Sequence, residues 1–257
     1  MEISLQNELL DLAKRTALQA GELLTARPEN FELSIKSSAI DFATQMDKAS
    51  EALIVSAILA SRPHDGIIGE EGSNKESESG ITWVIDPLDG TVNYLYNMPG
   101  WNICIAAKDS EGVQVGVVAA PSVNGFWWAR KGGGAFYHDK EIHCSNPKDL
   151  ASALIATGFS YDRVKRIEQA ELLSKIIPKV RDIRRLGCAG TDLSYVAMGV
   201  LDGFYEYGLN EWDYSAGGLI ATEAGALMTG RNGGDVGKEM TIVAGPRIHA
   251  LLTAEVG

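Results

Sequence analysis

The chain has 257 residues, 45% of them apolar and 22% charged, which is the make-up of a folded globular protein with ample material for a core and excludes a disordered one. Its 23 basic and 34 acidic residues leave a formal charge of −11, excluding a general nucleic-acid binder with a basic face. No apolar run approaches the roughly 18–20 residues that span a bilayer. The acidic start Met1-Glu2-Ile3-Ser4 lacks signal-peptide character, and Cys104, Cys144 and Cys188, widely spaced, read as reduced thiols of a cytoplasmic protein.

Leu5, Leu9, Leu12, Ala13, Ala17, Ala20 and Leu23 recur at helical spacing, predicting an amphipathic helix over 5–24 that stops near Arg27-Pro28. A second helix starts around Asp47, with Thr44 and Asp47 as its capping box, and ends at Arg62-Pro63. Strand-type runs follow at 66–68, 82–85, 103–106, 115–118 and 126–128, and the polar stretch 73–80 between the first two reads as an exposed, mobile loop. Gly132-Gly133-Gly134 lies between two strand-type runs with no helix behind it, so it is a hairpin connection and not a phosphate loop. After Ser145-Asn146-Pro147 helix and strand alternate. Helices are predicted at 150–156, 167–177, 192–198, 214–224 and from 247, with strands at 183–186, 204–207 and 240–244. The change in texture divides the chain into 1–145 and 146–257.

The segment Trp83-Val84-Ile85-Asp86-Pro87-Leu88-Asp89-Gly90-Thr91 runs an apolar strand into two carboxylates spaced i, i+3 and then into a helix start. Two carboxylates meeting at a strand end repel each other unless a cation lies between them. Pro87 stiffens the turn and donates no backbone hydrogen bond, which leaves the Leu88 carbonyl available to a metal. Gly90 and Thr91 supply backbone N–H groups for an anion, so cation and anion sites stand within six residues, the requirement of phosphate chemistry. Glu70 follows the strand-type run 66–68, and Asp213 opens the Ala/Gly-rich helix after Glu211-Trp212. His64, His138, His143 and His249 are scattered and carry no ligand assignment.

Together these segments resemble the inositol monophosphatase family. Asp86-Pro-Leu-Asp-Gly-Thr-Val-Asn-Tyr94 matches its first signature and Trp212-Asp-Tyr-Ser-Ala-Gly-Gly-Leu-Ile-Ala-Thr-Glu-Ala-Gly225 its second, with Gly69-Glu-Glu and Asp41-Phe-Ala-Thr-Gln-Met-Asp47 in the familiar places. The resemblance implies an α/β (α+β) fold, a layered αβαβα sandwich, and a magnesium-dependent, lithium-sensitive phosphomonoesterase that forms a homodimer. It implies that Glu70, Asp86 and the Leu88 carbonyl hold one Mg²⁺, that Asp86, Asp89 and Asp213 hold a second, and that Glu70 touches a third. Oxygen-only ligands suit that ion. Carried over in the same way, Thr91 with Asp47 behind it, and Glu70, orient a metal-activated water for in-line attack on phosphorus. The Gly90 and Thr91 amides hold the phosphate, Asp213 stabilises the leaving oxygen, Gly187-Cys188-Ala189 lines the polyol (Cys188 itself reading also, and first, as a small, partly buried residue), and Glu206 accepts its hydroxyls. Lys36-Ser37-Ser38 matches a loop near the metals, where Lys36 is either a screening charge or a solvated side chain.

The implied substrate is inositol 1-phosphate first. Histidinol phosphate, fructose 1,6-bisphosphate and a nucleotide 3′-phosphate are alternatives, and a second phosphate would draw on Arg163, Lys165, Arg166, Arg184 or Arg185. An aspartyl-phosphate phosphatase of the haloacid dehalogenase type needs its carboxylates at i, i+2, which Pro87-Leu88 breaks. No membrane or nucleic-acid partner is implied, and a purely non-catalytic binding role is disfavoured because every expected ligand is present.

Overall fold

The computed structural model describes residues 1–38 and 41–257, apart from the side chains of Ser37, Ser38, Asp41 and Phe42. The readings made on Ser37, Ser38 and Asp41 concern side chains outside the described set. The helices are α1 (Ile3–Thr25), α2 (Gln45–Ser61), α3 (Thr91–Leu95), α4 (Arg163–Ile176), α5 (Ala189–Ala197), α6 (Glu211–Glu223) and α7 (Pro246–Val256).

Among the described residues, one sheet runs in the order Lys140–Ile142, Ala135–Tyr137, Gly125–Arg130, Gly112–Ala120, Asn102–Asp109, Thr82–Asp89, Gly66–Gly69 and Asn74–Lys75. Its pairings are antiparallel except between Gly66–Gly69 and Thr82–Asp89. A second sheet runs Asp182–Arg184, Leu154–Thr157, Gly203–Glu206, Thr241–Ala244 and Leu227–Thr229. The central strands of the first sheet are apolar at successive positions because both faces are covered. Trp83, Ile85, Ile103 and Ile105 pack with α1 and α2, while Val84, Cys104 and Ala106 pack with α5 and α6. On the far side of α5 and α6 lies the second sheet, whose outer face carries Ile155, Ile242 and Ala244 against Ile248 and Leu252 of α7 and Ile176 of α4. The layers therefore alternate helix, sheet, helix, sheet, helix, the sandwich that the resemblance implies.

Three local expectations need correction. Residues 150–156 form a short 3₁₀ turn at Leu150–Ser152 and then the strand Leu154–Thr157, not a helix. A four-residue apolar run fits either period, and β-branched Ile155 and Thr157 between two parallel neighbours decide it. The polar stretch 73–80 is laced down instead of loose: Asn74–Lys75 pairs with the edge of the first sheet, Ser77 Oγ donates to the Ile81 carbonyl (2.7 Å), and Ser79 Oγ donates to Asp65 Oδ1 (2.6 Å). Finally, Leu33–Ser38 and Asp41–Thr44 pair as an antiparallel two-stranded sheet that no periodicity announced. No described helix is long and apolar enough to cross a membrane.

Candidate active site

Alternation along a strand sends residues three apart to opposite faces, so Asp86 and Asp89 ought to point away from each other. A bulge resolves this. Asp86 pairs with Cys104 and Asp89 with Asn102, three residues advancing against two, and the extra residue returns both carboxylates to one side. The bulge falls on Pro87-Leu88, where proline has no N–H to lose. Ser50 of α2, fully buried, donates to the Pro87 carbonyl at 2.8 Å and pins it. Asp86, Leu88 and Asp89 then line a cavity of about 520 Å³.

Gly90 follows in the left-handed region (φ 84°), turning the chain from strand to α3 where a side chain would be strained. The missing Cβ also leaves room for Cys188 Sγ. Thr91 opens α3, and its Oγ1 lies 2.9 Å from Asp47 Oδ1 and 3.3 Å from the Leu88 carbonyl. The other oxygen of Asp47 accepts from Thr44 N (2.7 Å) and Thr44 Oγ1 (2.6 Å), closing the predicted capping box on α2. Burial pushes the Asp47 carboxyl up, and the hydrogen bonds from Thr44 and Thr91 oppose that push.

Glu70 stands on the turn after Gly66–Gly69. Glu51 of α2, 3% exposed, holds that turn by accepting from Glu71 N (2.8 Å) through one oxygen and Ser73 N (2.9 Å) through the other. Sequence reasoning missed Glu51, and a glutamate in a helix carries no mark of such a role. Glu70 is the charged neighbour that, after burial, does most to push the Asp86 carboxyl up. Lys36 lies 2.8 Å from Glu70 Oε1 and also pairs with Glu71, which settles its placement as a cation on this cluster. Burial works against the ammonium, but the two glutamates hold it charged above the ordinary lysine range.

Asp213 enters from the first turn of α6, where its Oδ2 accepts from Asn210 N at 2.5 Å in a second capping box. Burial, and then repulsion from Glu70, Asp89 and Asp213, hold Asp86 well above the usual carboxylate range; burial and then Glu70 do the same to Asp213. Asp89 is raised by burial to about 6, with hydrogen bonds from Asn102, Gly190 and Ala189 pulling the other way.

Glu70, Asp86, Asp89 and Asp213 all line the one cavity, although among the described residues no three of them close around a single point as an ion would draw them. The donor set nevertheless fits a hard divalent cation: four carboxylates on one cavity, with burial and repulsion working against charge on Asp86 and Asp213, and Lys36 paired with Glu70.

On the opposite wall the strand Gly203–Glu206 brings in Glu206, whose carboxyl burial raises to about 8 against the pull of Arg185. Gly158 makes room for it, since a Cβ there would overlap the carboxylate. Gly187 and Ala189 line the cavity, but Cys188, expected beside them, turns inward at the N-cap of α5, is buried, and does not. Of the basic residues considered for a second phosphate, Lys165 and Arg185 line the cavity, joined by Lys238, which sequence reasoning had not selected. Arg166 instead donates to the Ser160 carbonyl and Arg184 pairs with Asp182.

Comparison with known proteins agrees across the chain. Residues 5–257 match the model of the inositol monophosphatase family. The chain is 37% identical over 249 residues to the Nus factor SuhB of Pasteurella multocida, covering 94% of this chain and 93% of that one. It is 41% identical over 232 residues to the inositol-1-monophosphatase of Mycobacterium leprae, covering 85% and 79%. The crystal structure of the extragenic suppressor protein suhB from Bartonella henselae superposes with a TM-score of 0.92 at 30% identity, covering 97% of this chain and 98% of that one.

Proposed function

Because the chain belongs to the inositol monophosphatase family, and is thereby a phosphoric monoester hydrolase, we propose that it hydrolyses a small polyol phosphate with magnesium, myo-inositol 1-phosphate before other esters. The observation that carries this reading is the convergence of Glu70, Asp86, Asp89 and Asp213 from three distant segments on one cavity that also holds Glu206. In it, Glu70, Asp86 and the Leu88 carbonyl hold one magnesium ion, Asp86, Asp89 and Asp213 a second, and Glu70 a weaker third. Segment 1–145 supplies most ligands, and 146–257 supplies Asp213 and the polyol side.

When bound, magnesium supplies Lewis-acid charge that offsets the anionic ester and acidifies water. The chain's own residues do the positioning. Thr91 has its hydroxyl directed to Asp47, so its oxygen is free to accept a hydrogen bond from an attacking water and hold that water in line with phosphorus. Glu70 lies across the same space as a second acceptor. The amides of Gly90 and Thr91 take phosphate oxygens, and Asp213, on the first turn of α6, stands beside the departing oxygen. Glu206 accepts hydroxyls of the alcohol part, with Gly187 and Ala189 forming the floor.

The same reading makes the protein a cytoplasmic homodimer inhibited by lithium. Histidinol phosphate is its strongest competitor, since an ammonium would suit Glu206 equally, and fructose 1,6-bisphosphate and nucleotide 3′-phosphates follow. Phosphate release from these esters and from inositol 1-phosphate, with magnesium and with excess chelator, tests it. Turnover of inositol 1-phosphate that chelator and lithium abolish is expected. Turnover that survives chelation refutes the metal mechanism, and histidinol phosphate cleaved far faster than inositol phosphate refutes the substrate assignment.

A further inference from the structure

The mechanism leaves Asn102, a fully buried polar side chain at the foot of the site, unused. Asn102 opens the strand Asn102–Asp109 with 0% exposure, directly opposite Asp89 across the bulge. Its Nδ2 donates to Asp89 Oδ2 at 2.7 Å, with Thr191 Oγ1 at 3.1 Å and the Gly100 carbonyl at 3.4 Å, and its Oδ1 accepts from Cys104 Sγ at 3.1 Å. The same Asp89 oxygen also accepts from Gly190 N at 2.7 Å. One carboxylate oxygen thus takes two N–H donors, one from the neighbouring strand and one from the start of α5, which fixes the turn of the carboxylate in the cavity.

The packing is cut to match. A Cβ on Gly190 would overlap both Asn102 Oδ1 and Cys104 Sγ, so the loop approaches Asp89 only because residue 190 is glycine. Thr191 closes the clasp by donating to the Gly100 carbonyl at 2.6 Å. Asn102 touches neither the cavity nor anything bound in it. Besides Gly100 and Cys104 of its own stretch, its hydrogen-bond partners are Asp89 on one side and Thr191, just past the segment that carries Gly187 and Ala189, on the other.

We infer that Asn102 is a positioning residue: it fixes the orientation of Asp89 for magnesium and, through Gly190 and Thr191, ties the polyol-side loop to that carboxylate. This rests on the reading of Asp89 as a magnesium ligand. Partners that orient a ligand from behind typically change metal affinity by about 10- to 100-fold when lost. The Gly190 amide still holds Asp89, so the lower end applies.

Two variants separate orientation from packing. Asn102→Ala removes the donor and opens a hole; Asn102→Val removes the donor and refills most of that hole with methyls that suit a strand. Magnesium alone is the probe, with substrate absent, and the midpoint of its effect on thermal unfolding is read against each variant's own metal-free baseline. Steady-state kinetics on inositol 1-phosphate follow. Both variants are expected to need about tenfold more magnesium, in unfolding and in turnover, with most of the metal-free Tm recovered in the valine variant but not its magnesium midpoint. A valine variant with the wild-type midpoint would overturn the proposal and leave Asn102 as a space-filler. If the wild-type protein itself shows neither a magnesium-dependent Tm nor magnesium-dependent turnover, the metal reading falls, and the role of Asn102 falls with it.

Discussion

Glu206→Gln asks whether the cavity reads a polyol, and the structure supplies the size of the answer. Burial holds the carboxyl at about 8, so at pH 7 about one molecule in ten carries the charge before substrate arrives. Ionising the rest costs about 1.4 kcal/mol. A hydrogen bond to a charged group contributes roughly 1.5–3 kcal/mol, leaving about 0.1–1.6 kcal/mol at pH 7, or about 1- to 15-fold in kcat/KM. At pH 9 the ionisation cost has gone and the loss becomes about 10- to 150-fold. The assay is phosphate release by wild-type and variant between about pH 6.5 and 9, from inositol 1-phosphate and from 4-nitrophenyl phosphate, which has no hydroxyls to offer. The loss should grow with pH on the first ester and stay near unity on the second. Equal losses on both would show that Glu206 supports the metal end instead, and a loss independent of pH would refute the reasoning from its protonation.

Thr91→Ala should lower kcat by more than it raises KM, because holding water matters chiefly in the transition state; a change in KM alone would reduce Thr91 to a phosphate contact. Glu51→Ala orphans the amides of Glu71 and Ser73 and should cost about 2–6 kcal/mol in denaturant unfolding, at roughly 1–3 kcal/mol per buried unsatisfied group. An unchanged midpoint would mean water replaces it. Asp86, Asp89 and Asp213 have raised carboxyls without metal, so the folded chain binds more protons than the unfolded one from about pH 4 upward, and metal-free stability falls as pH rises through the folded values, about 6 for Asp89. Magnesium needs those carboxylates ionised, so the Tm gain at a fixed magnesium concentration should increase between about pH 5 and 7.5. A gain constant over that range would count against all three as ligands.

The layered fold and the acidic residues were legible because they leave local marks. Apolar runs at 82–85 and 103–106 marked strands covered on both faces, and Thr44 with Asp47 marked a helix start. What could not be read were contacts that no spacing encodes. Glu51 is an ordinary helical glutamate until the 69–73 turn folds over it, and Asn102 becomes a partner of Asp89 only through a bulge that shifts the register by one. Cys188 was grouped with the polyol loop because its chain neighbours belong there, but burial at the N-cap of α5 rotates its side chain away. The run at 154–157 was lost to helix because four apolar residues are too few to reveal a period.

Two of the carboxylates assigned to the reaction also cap helices: Asp47 closes α2 and Asp213 closes α6. A descendant that had stopped turning over substrate would still lose about 0.5–2 kcal/mol on replacing either cap. Glu70 and Asp86 protect no helix end, and crowding them together without a cation is a burden that an idle enzyme gains by shedding. Genetic drift after loss of activity should therefore erase Glu70 and Asp86 first and leave Asp47 and Asp213 standing. Across a lineage, the capping pair reports that the scaffold is intact, while the other pair reports whether chemistry is still under selection.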